Sequence, residues 1–211
     1  MYVGRIVAIG KTNAGSNAVL YRVSSRSFPN RQAVETSTGL AIIPRSGHEG
    51  DLSKNPYIAY NALRLAGDWA VASNGSHTDP IAEKVAEGIP VRDALVQSLL
   101  ALDYEKDDYN TPRIAAAVPL RGDKGWLGIV RKNALVVKEV DLVVGQALYL
   151  ATYEADDVRE TQRSAFDAIT ADEAARFLLE GGHFAQLEKP VTSAAALADD
   201  TGFNLGTASV E

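Results

Sequence analysis

The sequence predicts an α+β layered sandwich, and three observations carry the prediction. Short runs of β-branched and apolar residues, bounded by Gly, Pro, Asn and Asp, recur along the chain. Helical patterns sit in clusters between runs of strands instead of alternating with single strands, which argues against a doubly wound sheet. No internal repeat or low-complexity linker divides the 211 residues, so one domain over 1–211 is expected.

The elements follow in chain order. Residues 2 to 10 read as a strand, Gly15 supplies a turn, and 18 to 24 return as a second strand. A polar loop carrying Arg26 and Arg31 leads to a short apolar run, Gly39 to Ile43, stopped by Pro44. Tyr57 to Ala66 and Trp69 to Ser73 flank Gly67-Asp68, a break that favours a hairpin, although Tyr57 to Leu65 also allows a helix. Asp79 as a cap, Pro80 in the first turn and Gly88 with Pro90 beyond the end predict a helix over 80–87. Val91, Leu95, Leu99 and Leu102 recur at helical spacing, predicting a second helix over about 91–104. Strands resume at Arg113 to Leu120, Trp126 to Arg131, Leu135 to Val140 and Ala147 to Tyr153. Thr170-Ala-Asp-Glu173 is a capping-box pattern for a helix over Ala174 to Glu180, stopped by Gly181-Gly182. The alanine-rich run Ser193 to Asp199 predicts a last helix.

Composition bounds the function. Hydrophobic residues make up 46% and charged residues 23%, enough for a substantial core. A net charge of −6 argues against a general affinity for nucleic acid, so an anionic ligand would need a local cation cluster. The absence of cysteine excludes disulfides, thiolate metal sites and cysteine nucleophiles. His48, His77 and His183 stand far apart without metal-ligand spacing, so neither metal nor cofactor is expected. Met1-Tyr-Val-Gly-Arg5 opens on a strand pattern without a basic-then-apolar leader, and no apolar run approaches the ~20 residues of a membrane span. A soluble cytoplasmic domain with no membrane partner is the expectation.

Five clusters could carry chemistry. Tyr21 to Arg31 places Arg22, Arg26 and Arg31 within ten residues, and planar guanidinium forks suit phosphate or carboxylate. A solvated loop paired with surface acids would have the same composition. Asn55 to Tyr60 holds Tyr57 and Tyr60, one of which could face a pocket. Ser73 to Asp79, with Asn74, Ser76 and His77, is a polar turn at a helix start, suited to an anion or to capping alone. Glu105 beside Lys106 is a candidate acid/base pair at an acidic helix end. Asn110 to Ala116 brings in Arg113, a further phosphate or carbonyl ligand.

These segments, with Met1 to Arg5, Asn55 to Asn61, Asp103 to Lys106 and Pro190 to Thr192, resemble the archaeal-type IMP cyclohydrolase family over nearly the whole chain. The resemblance weakens from about Asp156 to Thr170 and in the C-terminal tail. It implies a four-layer αββα sandwich similar to the N-terminal-nucleophile hydrolases. Tyr2 stands where such hydrolases expose a Cys, Ser or Thr nucleophile, so that chemistry is not implied. The implied reaction is ring closure of 5-formamidoimidazole-4-carboxamide ribonucleotide to IMP, a small-molecule substrate, by a homo-oligomer. On this resemblance Arg22, Arg26 and Arg31 hold the 5′-phosphate or the carboxamide, helped by Asn74, Ser76 and His77. Glu105 accepts a proton or orients the reacting groups, Lys106 or Tyr60 donates a proton to the formyl oxygen, and Arg113 and Asn74 are secondary. Two rivals are an amidohydrolase using Ser76 activated by His77, and a purine-nucleotide binder without turnover.

Overall fold

The computed structural model describes residues 1–210. Among these described residues are two antiparallel sheets and four α-helices. The first sheet joins β1 (Ile6–Lys11), β2 (Asn17–Ser24), β10 (Gln146–Ala151), β11 (Arg163–Ala165), β12 (Pro190–Ala198) and β13 (Phe203–Ser209), in the order β11-β10-β1-β2-β12-β13. The second is a seven-stranded meander of sequential neighbours: β3 (Arg31–Thr36), β4 (Gly39–Pro44), β5 (Tyr60–Ala66), β6 (Trp69–Ser73), β7 (Arg113–Pro119), β8 (Lys124–Arg131) and β9 (Ala134–Asp141). The helices are α1 (Asp51–Lys54), α2 (Thr78–Ala86), α3 (Val91–Leu102) and α4 (Ala171–Glu180).

Strand alternation decides what each sheet buries. From β2, Val19, Tyr21 and Val23 join Ile42, Leu63, Ile114 and Leu127 of the second sheet in the core between the sheets. Ala18 and Leu20 point the other way, onto Ala174, Ala175 and Leu178 of α4. On the far side, Val71, Ala115 and Ala117 pack on Ile81, Ala94 and Leu95 of α2 and α3. The layers therefore run helix, sheet, sheet, helix. Among the described residues no helix is long and apolar enough to cross a membrane.

Most expected elements form within a residue or two of their expected bounds, but the first strand starts at Ile6 instead of residue 2, and the strand expected from Tyr57 starts at Tyr60, after a 3-10 turn over Pro56–Ile58. Ser193 to Asp199 is not a helix: it lies in β12, whose residues from Val191 to Ala198 are buried and hydrogen-bonded by β2 on one side and β13 on the other. The layers lie close there: a Cβ on Gly206 of β13, the residue paired with Ala195, would meet the Ala171 carbonyl carbon at 2.1 Å. Tertiary packing overrides the helical propensity of alanine. Arg31 belongs not to a loop but to β3, paired with Pro44. The capping box of Thr170 and Glu173 forms as expected, and α4 begins at Ala171. Asp79 does not cap α2; its carboxylate accepts from Asn61 and Arg64. Glu105 is outside α3, which stops at Leu102 and leaves Asp103 as the acid at its C-terminal cap.

Candidate active site

One end of the sandwich gathers side chains from both sheets. Tyr21 of β2 and Tyr60 of β5 meet hydroxyl to hydroxyl at 2.5 Å, with their rings edge to face. Glu105, in the loop between α3 and β7, lies 3.6 Å from the Arg113 guanidinium at the start of β7. Arg5 links the two pairs. It feels the phenols of Tyr60, Tyr21 and Tyr153 and the carboxylate of Glu105, which together outweigh its burial and raise its pKa. Arg31 faces the same two phenols and Arg5, and burial lowers its pKa.

Local structure aims these groups. Gly4 has φ of +72°, and a Cβ there would fall 2.2 Å from Thr152 Oγ1. That turn brings the Arg5 amide to Thr152 Oγ1 at 3.1 Å. The Glu105 loop is bracketed by two non-glycine residues of positive φ, Asp103 at 55° and Asn110 at 48°. Asp103 steadies it by accepting from the Tyr104 amide and the Lys106 ammonium, while the Glu105 amide donates to Thr111 O at 2.8 Å. Such backbone is costly and collects at functional positions. Gly75 leaves space for a guanidinium: a Cβ there would meet Arg113 Nη1 at 2.9 Å.

The electrostatics are those of an anion site with one base. Arg5 Nε, Arg31 Nη1 and Arg113 Nε are buried nitrogens without a hydrogen-bond partner. Arg64 Nε and Arg131 Nε share that property, but their guanidinium groups are ion-paired with Asp79 and Asp156. Arg5 and Arg31 make no ion pair among the described residues, so their charges remain available. A buried donor left unpaired costs about 1–3 kcal/mol, a cost that an anionic or carbonyl ligand removes. Glu105, 9% exposed, has its pKa raised by burial, against the pull of Arg5 and Arg113. It is a buried base among cations.

The structure sorts the candidates. Tyr60, Glu105, Arg31 and Arg113 come together. Arg22 does not join them. It alternates with Tyr21 along β2 and is fully buried on the α4 side, where it donates to Leu178 O, Phe184 O and Leu187 O at 2.8–3.0 Å and to Ser24 Oγ. Arg26 is at the rim, over the Tyr2 ring at 4.3 Å and paired with Glu188. Lys106 is exposed, bonded to Asp103 and resting on the Tyr104 ring. Asn74 is fully buried and clips β7, donating to Pro112 O and accepting from Ile114 N. His77 pairs its Nε2 with Ile114 O, and burial lowers its pKa to about 3, so the ring is neutral and Nε2–H donates. Ser76 is exposed and has no hydrogen bond to His77, which removes the geometry the amidohydrolase rival needs.

Arg5, Tyr21 and Tyr153 were not among the sequence candidates. Arg5 had a readable signal, a lone cation in an otherwise apolar strand pattern. Tyr21 had none, because any aromatic in β2 fits a core strand equally well. A polar cavity of about 460 Å³ lies at the opposite end of β2, lined by Asn17, Lys11, Arg121 and Asp199, and none of the candidates borders it.

Comparison with known proteins adds a family. A model described as IMP cyclohydrolase-like protein matches residues 2–202. The IMP cyclohydrolase of Methanococcus maripaludis strain C6 is 50% identical over 208 residues, covering 98% of this chain and 100% of the relative. Those of Methanosphaera stadtmanae and Halobacterium salinarum strain R1 are each 48% identical, over 200 and 176 residues. The first alignment covers 95% of this chain and 96% of the relative, the second 83% of both.

Proposed function

The chain belongs to the IMP cyclohydrolase-like family, and on that premise we propose that it closes 5-formamidoimidazole-4-carboxamide ribonucleotide to IMP with loss of water, the last step of de novo purine biosynthesis. The observation that carries the site assignment is that Arg5 and Arg31, beside Tyr60 and Glu105, make no ion pair among the described residues and each keep one buried guanidinium nitrogen without a partner, although Arg31 Nε donates to Phe28 O.

Both reacting arms belong to one molecule, so holding them in an attack geometry supplies much of the acceleration. The carboxamide nitrogen attacks the formyl carbon. Glu105 takes a proton from that nitrogen, and Tyr60 gives one to the formyl oxygen, forming the cyclic carbinolamine. In the second step protonated Glu105 delivers its proton to the departing hydroxyl. The nitrogen that carried the formyl group loses its proton to the Tyr60 phenolate as the ring C=N bond forms. Water has left and both side chains are restored. Arg5 and Arg31 stabilise negative charge on the formyl oxygen and the phenolate, and Arg113 holds the Glu105 carboxylate. Arg26 at the rim is left to meet the ribose phosphate.

The αββα layering supports a likeness to the N-terminal-nucleophile hydrolases, with their chemistry replaced. We read the chain as one domain over 1–211, a homo-oligomer in the cytoplasm, working without a metal. The test is to mix chelator-treated protein with the formylated substrate and follow IMP absorbance. Fast turnover that Glu105→Gln abolishes supports the reading. IMP binding without ring closure would overturn it in favour of a non-catalytic nucleotide binder.

A further inference from the structure

We propose that Tyr21 is a positioning residue for the proton donor: its buried phenol donates to the Tyr60 oxygen and leaves the Tyr60 proton free for the substrate. The proposal rests on Tyr60 acting as the acid of the ring closure.

The direction of the 2.5 Å hydroxyl pair follows from its surroundings. Tyr21 is completely buried and Tyr60 half-buried. Besides the Tyr60 hydroxyl, the ionisable groups facing the Tyr21 phenol are Arg5 and Arg31, which can only donate. If Tyr60 donated to Tyr21, the Tyr21 hydrogen would be enclosed among cations with no acceptor, the costly arrangement for a buried donor. If Tyr21 donates to Tyr60, every buried hydrogen of the pair is used. The one that remains belongs to Tyr60, the partner with an open side. Burial keeps Tyr21 protonated by raising its pKa well above the usual tyrosine value, so it stays a donor through the reaction.

The pair also spans the two sheets, since Tyr21 stands on β2 and Tyr60 begins β5. The acid is thereby tied to the layer opposite its own backbone. When Tyr60 gives up its proton, the Tyr21 hydrogen bond becomes charge-assisted, so it strengthens in the transition state and not in substrate binding.

The test is a double-mutant cycle of Tyr21→Phe and Tyr60→Phe, reading kcat, KM and the melting temperature. Phe at 21 keeps the edge-to-face ring contact and deletes only the hydroxyl. Tyr21→Phe is expected to lower kcat about ten- to a hundredfold, the worth of one charge-assisted bond, with KM within twofold. In the Tyr60→Phe background the same change should do nothing further. Unchanged kcat in Tyr21→Phe, with Tyr60→Phe impaired, overturns the role of Tyr21 alone. Equal losses in both backgrounds also overturn it, assigning Tyr21 to packing. Unimpaired Tyr60→Phe overturns the acid assignment and this proposal with it.

Discussion

Replacing Arg22 by methionine removes a guanidinium from a carbonyl cage while keeping most of its apolar stem. Four well-formed bonds disappear: three to the Leu178, Phe184 and Leu187 carbonyls and one to Ser24 Oγ. At roughly 1.5 kcal/mol each for bonds from a charged donor, their loss costs about 6 kcal/mol. Removing the cation also relieves its desolvation, which is visible in an Arg22 pKa lowered by burial to about 10. That depression is equivalent to about 3 kcal/mol, leaving a net destabilisation of about 3 kcal/mol. For a chain of this size the melting temperature should fall by about 6–12 °C. The assay is a thermal melt followed by circular dichroism, paired with kcat and KM at 25 °C on the folded protein. A lower melting temperature with near-native KM is the expected result. An unchanged melting temperature with KM raised tenfold or more would refute the cage and return Arg22 to the substrate.

Three further outcomes follow from other parts of the structure. Glu105 must be ionised to accept a proton, and its pKa is raised by burial, so kcat/KM should fall as pH drops through a midpoint above the ordinary glutamate value; a limb at or below that value contradicts the base assignment. Gly75→Ala pushes a Cβ to 2.9 Å from Arg113 Nη1, the movable end of a side chain; kcat/KM should fall about tenfold with stability changed by less than about 1 kcal/mol, and equal activity would remove Arg113 from the site. Gly206→Ala drives a Cβ into the Ala171 backbone at 2.1 Å; urea unfolding should show a loss of about 3 kcal/mol or more, and a smaller loss would mean that α4 is free to shift.

Much of this protein is legible in its local sequence. The hairpin break at Gly67-Asp68, the capping box of Thr170 and Glu173, and the strand runs on either side of Gly15 rest on interactions between residues a few positions apart. Glu105 and Tyr60 could be singled out as chemistry-bearing residues on the same basis, helped by the family resemblance. The sequence could not say which arginines face the site. Arg22 and Tyr21 are neighbours in one strand, and alternation sends them to opposite faces. Which face meets Tyr60 and which meets α4 depends on a helix about 150 residues away. The same dependence made a strand of Ser193 to Ala198, since only the packed layers supply β2, β13 and α4 as neighbours. It also brought Tyr21 to Tyr60 across 39 positions and placed Arg5 where it feels the Glu105 charge, neither of which a local rule encodes. Local sequence determined most of the elements that form and which side chains carry reactive groups. The stacking of the layers decided which of those residues meet, because contacts between layers depend on the whole chain.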